Sequence, residues 1–272
     1  MNPSQIIGIV LVRNEECFVE QAIQNILLFC DRLLLVDHES SDGTLAILRS
    51  FEQEHSEKIS LHQIHHPRES HELLKPFVGS STWIFGVDGD ELYDPERLSL
   101  FRERLLSGEF DQDWMILGNV LHVEVLDKKT AAGYLAPPSR SITKLYNFAG
   151  IESWEGETIE RLHGGAPCFR PGFHEQKKRK LFETETWEEA SLRCLHLCFI
   201  SRSHSVSTTM RKNIMEIYCA RERFKVFTQQ FLTLARRKSA TLCVHNVSSD
   251  NAARVKKGLY KTRILSAHSI TS

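Results

Sequence analysis

Apolar residues fall along the first 120 positions in two alternating rhythms. Ile6 to Val12 is an unbroken, largely β-branched run around Gly8, the pattern of a strand buried on both faces of a parallel sheet. Phe18, Val19, Ala22, Ile23, Ile26 and Leu27 then recur at helical spacing and predict an amphipathic helix. Leu33 to Val36 reads as a second short buried strand. Ser40, Ser41 and Asp42 supply capping oxygens for a helix carrying Leu45, Leu48 and Phe51. Ile59 to Ile64 gives a third strand and Thr82 to Val87 a fourth. The next helix is punctuated at both ends, with Asp94 as N-cap, Pro95 at its first position, Leu98, Phe101 and Leu105 inward, and Gly108 at its stop. Strands alternating with helices predict an α/β sandwich with a mostly parallel central sheet.

Past residue 113 the rhythm changes. Trp114 to Val125 predicts a strand, 128–138 a loop or hairpin, and Ile142 to Tyr146 another strand. Residues 150–165, rich in Gly and Glu, predict an irregular functional segment. Cys194 to Ile200 is apolar enough for a strand or a buried helix start. Met210, Ile214, Ile217 and Tyr218 mark one stripe of a helical region over 205–237, and the composition then turns Ser/Thr/Lys-rich. The expected organisation is a body over 1–205, divided into halves over 1–112 and 113–205. A basic helical extension over 206–272 follows, with little order at its end.

Charge sharpens this division. The 272 residues have a formal net charge of −1, but residues 201–272 carry +11 and the first 200 carry −12. The most apolar stretch, Ile23 to Val36, is interrupted by Asp31 and Arg32 and is too short to span a membrane. The start lacks the basic and apolar segments of a signal peptide, and the seven cysteines are odd in number and scattered. Reduced thiols and a cytoplasmic location are the expectation. The basic segment fits three roles: peripheral contact with an anionic membrane face, contact with the acidic body or an anionic polymer, or a plain solvated surface. Nothing in it matches a nucleic-acid recognition motif.

The candidate chemistry gathers at strand ends. Arg13-Asn14-Glu15-Glu16 follows the first strand, Asp37-His38-Glu39 the second, and Asp88-Gly89-Asp90-Glu91 the fourth. In open α/β sheets ligands bind beyond the carboxyl ends of the strands, so three such clusters define one rim. Two carboxylates one residue apart can divide their work, one near a sugar or ribose hydroxyl and one on a divalent cation. Oxygen-only ligation suits Mg²⁺ or Mn²⁺, which would neutralise a departing diphosphate. A solvated acidic turn is the bland reading of the same tripeptide.

Taken together, Ile7 to Glu16, Leu35 to Thr44 and Trp83 to Glu91 resemble the family 2 glycosyltransferases of GT-A fold, in that family's order and near its spacing. The resemblance covers roughly residues 5–205 and implies inverting transfer from a nucleoside diphosphate sugar, a UDP-sugar foremost, to a glycan or lipid-linked acceptor. It implies Arg13, Glu15 and Asp37 in the nucleoside pocket, Asp88 near the ribose and sugar, and Asp90 on Mn²⁺ or Mg²⁺. The stretch between strands three and four departs from the family, being short and holding His65, His66 and His71 where an Ala-x-Asn-type helix is usual.

An inverting transfer needs a general base for the acceptor hydroxyl. Residues 154–164 are similar to the Gly-x-Val-His-Glu-x-Leu segment of one branch of the family at Gly156, Glu160 and Leu162, with Ile159 at the family His position. Glu160 is the first candidate base and Glu157 the second. His196, in an apolar run before Arg202-Ser203, matches a position where family members place a metal or diphosphate contact. A zinc site from Cys194, His196 and Cys198 is disfavoured, because on one strand those residues would span about 13 Å, against metal–sulfur bonds of about 2.3 Å.

Three rivals remain. Asp88-Gly89-Asp90 superficially matches a haloacid-dehalogenase-type phosphatase nucleophile motif, but those carry it on the first strand with a Thr where this chain has Leu92. A nucleotidyltransferase would want a Gly-rich basic loop after strand one, where Arg13-Asn14-Glu15-Glu16 stands. The third is a catalytically inactive nucleotide-sugar-binding module recruited by its basic tail.

Overall fold

The computed structural model describes residues 5–127, 130–135, 144–205 and 260–263. Its first half follows the predicted order: β1 (Gln5–Val12), α1 (Val19–Ile26), β2 (Arg32–Asp37), α2 (Thr44–Glu54), β3 (Ile59–Gln63), α3 (Glu69–Glu72), β4 (Thr82–Asp88), β5 (Glu91–Tyr93) and α4 (Pro95–Leu106). The second half adds β6 (Met115–Leu117), β7 (Asn119–Leu126), β8 (Thr130–Leu135), β9 (Lys144–Asn147), β10 (Ile151–Glu160), β11 (His163–Phe169), β12 (Lys178–Lys180), α5 (Leu181–Thr184), β13 (Arg193–His196) and β14 (Tyr260–Arg263).

The fold is α/β with a mostly parallel central sheet, as the alternation predicts. Seven strands lie in the order β12-β6-β9-β4-β1-β2-β3, and β9 alone runs against its neighbours β4 and β6. Alternation along β1 divides the core between the two faces. Ile6 and Val10 pack with Val19, Ile23 and Ile26 of α1, Leu48 of α2 and Phe101 of α4. Ile7 and Ile9 face the other way, toward Leu74, Trp114, Phe148 and Leu162. Each such buried aliphatic side chain stabilises the sheet by about 1.5–3 kcal/mol. The helix α4 is capped as its sequence demands: Asp94 Oδ1 accepts from the Arg97 N–H, and Gly108 takes φ +86° just beyond the last turn.

A second sheet, β14-β8-β7-β13-β5, packs Leu92, Leu121 and Val123 with Ala22 of α1. It rests on features that the hydrophobic pattern does not announce. The stretch 114–125 is not one strand. It breaks at Gly118, so that β6 joins the central sheet while β7 joins the second. Residues 150–165 are not irregular either: β10 and β11 form an antiparallel hairpin, with register shifts absorbed near Gly156 and Gly164, which both take positive φ. Residues 194–200 form a strand only as far as His196, after which the chain turns.

The helical expectation for 206–237 and the disordered end of the extension lie outside the described residues, apart from 260–263, whose backbone pairs with β8. Among the described residues, Cys17, Cys30, Cys168, Cys194 and Cys198 are not joined by disulfides. Among the described residues no helix is long and apolar enough to cross a membrane.

Candidate functional site

Chain order reverses between β1 and β4. From β1 the sheet runs through β2 to β3 on one side, and β4 lies on the other. The carboxyl ends at this switch point are in register, Val12 beside Asp37 and Leu11 beside Asp88. The three polar clusters that the sequence places at strand ends therefore share one rim.

The loop after β1 is fastened to the start of α2. Asn14 adopts φ +54°, its side-chain oxygen accepts from the Ser41 N–H at 2.7 Å, and its own N–H donates to Ser40 Oγ at 3.0 Å. The Glu15 N–H donates to Thr44 Oγ1 at 2.8 Å. Glu16 accepts from the Gly43 N–H with one oxygen, and from Ser203 Oγ, the His204 N–H and Ser205 with the other. Donation from Gly43, followed by that from Ser203, lowers its pKa to about 2. Glu16 thus ties the segment beyond β13 to the rim.

Its neighbour Glu15 turns inward. Arg202 Nη1 lies 2.5 Å from Glu15 Oε1 and 3.9 Å from Asp90 Oδ2. A Cβ on Gly89 would sit 2.6 Å from Glu15 Oε2 and 2.8 Å from Val12 Cγ1, so only glycine between Asp88 and Asp90 admits Glu15 there. Asp37 is buried. Its Oδ2 accepts from the Ser40 N–H, while its Oδ1 has no hydrogen-bond partner among the described residues. Arg13 is half-buried, close enough to His38 that its charge, after burial itself, lowers that histidine's pKa.

Asp88, Asp90 and Glu91 occupy very different surroundings. Asp88 is partly exposed and receives Arg161 Nη2 at 2.5 Å. Asp90 is fully buried, 3.7 Å from His196 Nε2, and its carbonyl accepts from the Leu197 N–H at 2.9 Å. Glu91, on β5, accepts from the Asp88 N–H and from the Tyr93 hydroxyl, both at 3.2 Å. Burial first, then the charges of Asp88 and Asp90, push the Glu91 carboxyl well above the usual range.

The folded protein therefore holds a Glu91 proton that the unfolded chain gives up near the ordinary glutamate value of about 4.3. Stability from this group falls as pH rises above that value toward the folded pKa. Glu91→Gln, which mimics the protonated form, is expected to gain melting temperature relative to wild type as pH increases. Thermal unfolding across pH checks this, and a relative loss at high pH would contradict it.

Arg161 organises the other side of the rim. It sits at φ +26° in the turn between β10 and β11, buried, with its N–H on Ser70 Oγ and its carbonyl accepting from the His71 ring. Its guanidinium donates to Val87 O at 2.8 Å, to Asp88 Oδ1, and to Glu160 Oε1 at 3.1 Å. Burial opposes the charge, but Asp88 and then Glu160 more than offset it, so the pKa lies above the ordinary arginine value.

The structure thus brings Arg13, Glu15, Asp37, Asp88, Asp90 and His196 to the strand ends, and joins Glu160 to Asp88 through Arg161. It leaves Glu157 apart, exposed on β10. Sequence reasoning missed Arg161 and His122, and saw Arg202 only as a flanking residue. The carboxylate set fits an oxygen-liganded divalent cation: Glu15 and Asp90 both face Arg202, and the charges of Asp88 and Asp90 add to burial in raising the Glu91 carboxyl.

No protein-family model matches the chain, and no curated protein matches it by sequence. Among solved structures it is similar to glucosyl-3-phosphoglycerate synthase from Mycobacterium tuberculosis in complex with Mn²⁺, uridine diphosphate and glucosyl-3-phosphoglycerate. That match has 18% identity and a TM-score of 0.32, over 43% of this chain and 44% of the synthase. The chain thus matches less than half the length of that enzyme. It is also similar to a putative glucose-1-phosphate thymidylyltransferase from Bacillus anthracis, in complex with a sucrose, at 10% identity and TM-score 0.35 over 53% and 72% of the two chains. Mannose-6-phosphate isomerase from Helicobacter pylori overlaps at 13% identity and TM-score 0.33, over 46% and 54%.

Proposed function

We propose that this protein is a metal-dependent glycosyltransferase that moves a sugar, with inversion, from a nucleoside diphosphate sugar to an acceptor hydroxyl. The observation that carries the reading is the convergence of Asp37, Asp88 and Asp90 from two parallel strands, with Glu15 from a third, at the switch point. Arg13, Glu15 and Asp37 take the nucleoside, with the open Oδ1 of Asp37 as an acceptor for a ribose or base donor. A UDP-sugar is the favoured donor. Asp88, the more exposed carboxylate, faces the ribose and sugar. Asp90, with His196 beside it, holds Mn²⁺ or Mg²⁺, and such a cation stabilises the charge of the leaving diphosphate.

Glu160 is assigned as the general base. The acceptor oxygen attacks the anomeric carbon, the bond from that carbon to the diphosphate oxygen breaks, and the hydroxyl proton passes to Glu160. Arg161 keeps this carboxylate aimed at the Asp88 end of the rim. The acceptor is a glycan or lipid-linked saccharide, and the +11 charge of the C-terminal segment suits peripheral contact with an anionic membrane face.

Incubating the full chain with a panel of nucleotide sugars tests the proposal. Release of nucleoside diphosphate with Mn²⁺, abolished by chelation, is the expected result. Pyrophosphate formation from a sugar phosphate and a nucleoside triphosphate would move the assignment to a nucleotidyltransferase. Donor binding without release across varied acceptors would leave a binding module.

A further inference from the structure

His196 has two ring nitrogens, and the donor-site reading uses one. Nε2 faces Asp90 Oδ1 at 3.7 Å, while Nδ1 points the other way, to His122 Nδ1 at 3.0 Å. The pairing follows from topology, since β7 and β13 are parallel neighbours with His122 directly beside His196. Beyond His196 the chain turns, held by the Leu197 N–H on the Asp90 carbonyl and the Ile200 N–H on the Leu197 carbonyl. That turn returns Cys198 Sγ to 4.0 Å from His122 Nδ1, and the three donor atoms all lie within 4.8 Å of one another. The 13 Å span that disfavours a Cys194–His196–Cys198 site is thereby removed. Cys194 is buried in the core, Cys198 is off the strand, and His122 from a neighbouring strand completes the set.

We propose that His122 Nδ1, His196 Nδ1 and Cys198 Sγ form a binding site for a zinc-class cation. Bonds of about 2.1 Å to nitrogen and 2.3 Å to sulfur in a tetrahedron place donors about 3.5 Å apart. Two of the observed separations, 3.0 and 4.0 Å, straddle that spacing and the third lies within 4.8 Å, so a small side-chain shift of Cys198 closes the set. Two imidazoles and a thiolate favour zinc over Mg²⁺ or Mn²⁺ by softness. Asp90 stands behind His196 as the carboxylate that commonly orients a metal-bound imidazole. His122 and Cys198 are half-buried, which gives an ion a way in, and three protein donors leave a fourth position for solvent or a substrate atom. Binding converts the Cys198 thiol to a thiolate and passes its proton to solvent.

A neutral imidazole offers one lone pair. With Nδ1 on zinc, the proton of His196 resides on Nε2, facing Asp90, and His196 is no longer a ligand for the donor-site cation. Zinc at this site is therefore expected to weaken Mn²⁺ binding at Asp90. That consequence rests on the proposed function; the zinc site itself does not.

Co²⁺ alone, titrated into chelator-treated full-length protein, is the test. One equivalent is expected to produce a thiolate-to-cobalt charge-transfer band in the near ultraviolet, with release of one proton and displacement by one equivalent of Zn²⁺. Cys198→Ser removes the band. His122→Gln removes a ligand and weakens cobalt binding by more than the about 10-fold minimum typical of losing a ligand-orienting partner. Asp90→Asn lowers cobalt affinity by at most about 100-fold, as for a ligand-orienting partner, and keeps the band at saturating cobalt even if nucleotide-sugar turnover is lost or was never present. Absence of the band in the wild type, or an equal band in Cys198→Ser, would overturn the assignment.

Discussion

Truncating Arg161 to alanine is expected to cost about 3–5 kcal/mol of folding stability, because it leaves Asp88 and Glu160 without the buried cation they share. The guanidinium also donates to the carbonyl of Val87, near the end of β4, and that acceptor would lose this bond. Denaturant unfolding of the two proteins measures the loss, and one under about 1 kcal/mol would mean that the ion pairs contribute little.

Asp90→Ala is expected to reduce metal-dependent nucleoside diphosphate release by about 100-fold or more, comparable to removing a group that stabilises transition-state charge. Stability should move the other way or not at all. Asp90 is fully buried beside Glu91, and its charge is one of the causes that raise the Glu91 carboxyl. Asp90→Asn removes that charge with little change in shape, so its melting temperature is expected to match or exceed the wild type while activity falls. A residue kept for folding would lose both together. Parallel measurement of release and thermal unfolding separates the two cases, and retained activity in Asp90→Asn would exclude Asp90 as a metal ligand.

The rim was readable from sequence because its parts obey local rules. β1, β2 and β4 are continuous apolar runs, each ending abruptly in charge, and parallel strands of this kind put their carboxyl ends on one side. The capping of α4 by Asp94 and the stop at Gly108 are equally local. What was lost depends on partners far along the chain. Arg161 looks like one more charge in a polar loop, and its partner Asp88 is 73 residues away. His122 alternates in an ordinary strand, and only the parallel pairing of β7 with β13 sets it against His196. β5 has three residues, too few for a periodic signal, yet it carries Glu91 into the core. The hairpin of β10 and β11 was hidden because its glycines, which read as irregularity, instead supply the positive φ at its bulges.

If the carboxylates at the switch point take a nucleoside diphosphate through a divalent cation, titration calorimetry of the full chain with UDP, GDP and TDP, each with Mn²⁺ and with chelator, will show it. One of these diphosphates, UDP foremost, is expected to bind in Mn²⁺ alone and to lose that binding in Asp90→Asn. Equal binding in chelator, or no binding of any diphosphate with Mn²⁺ present, would overturn the assignment.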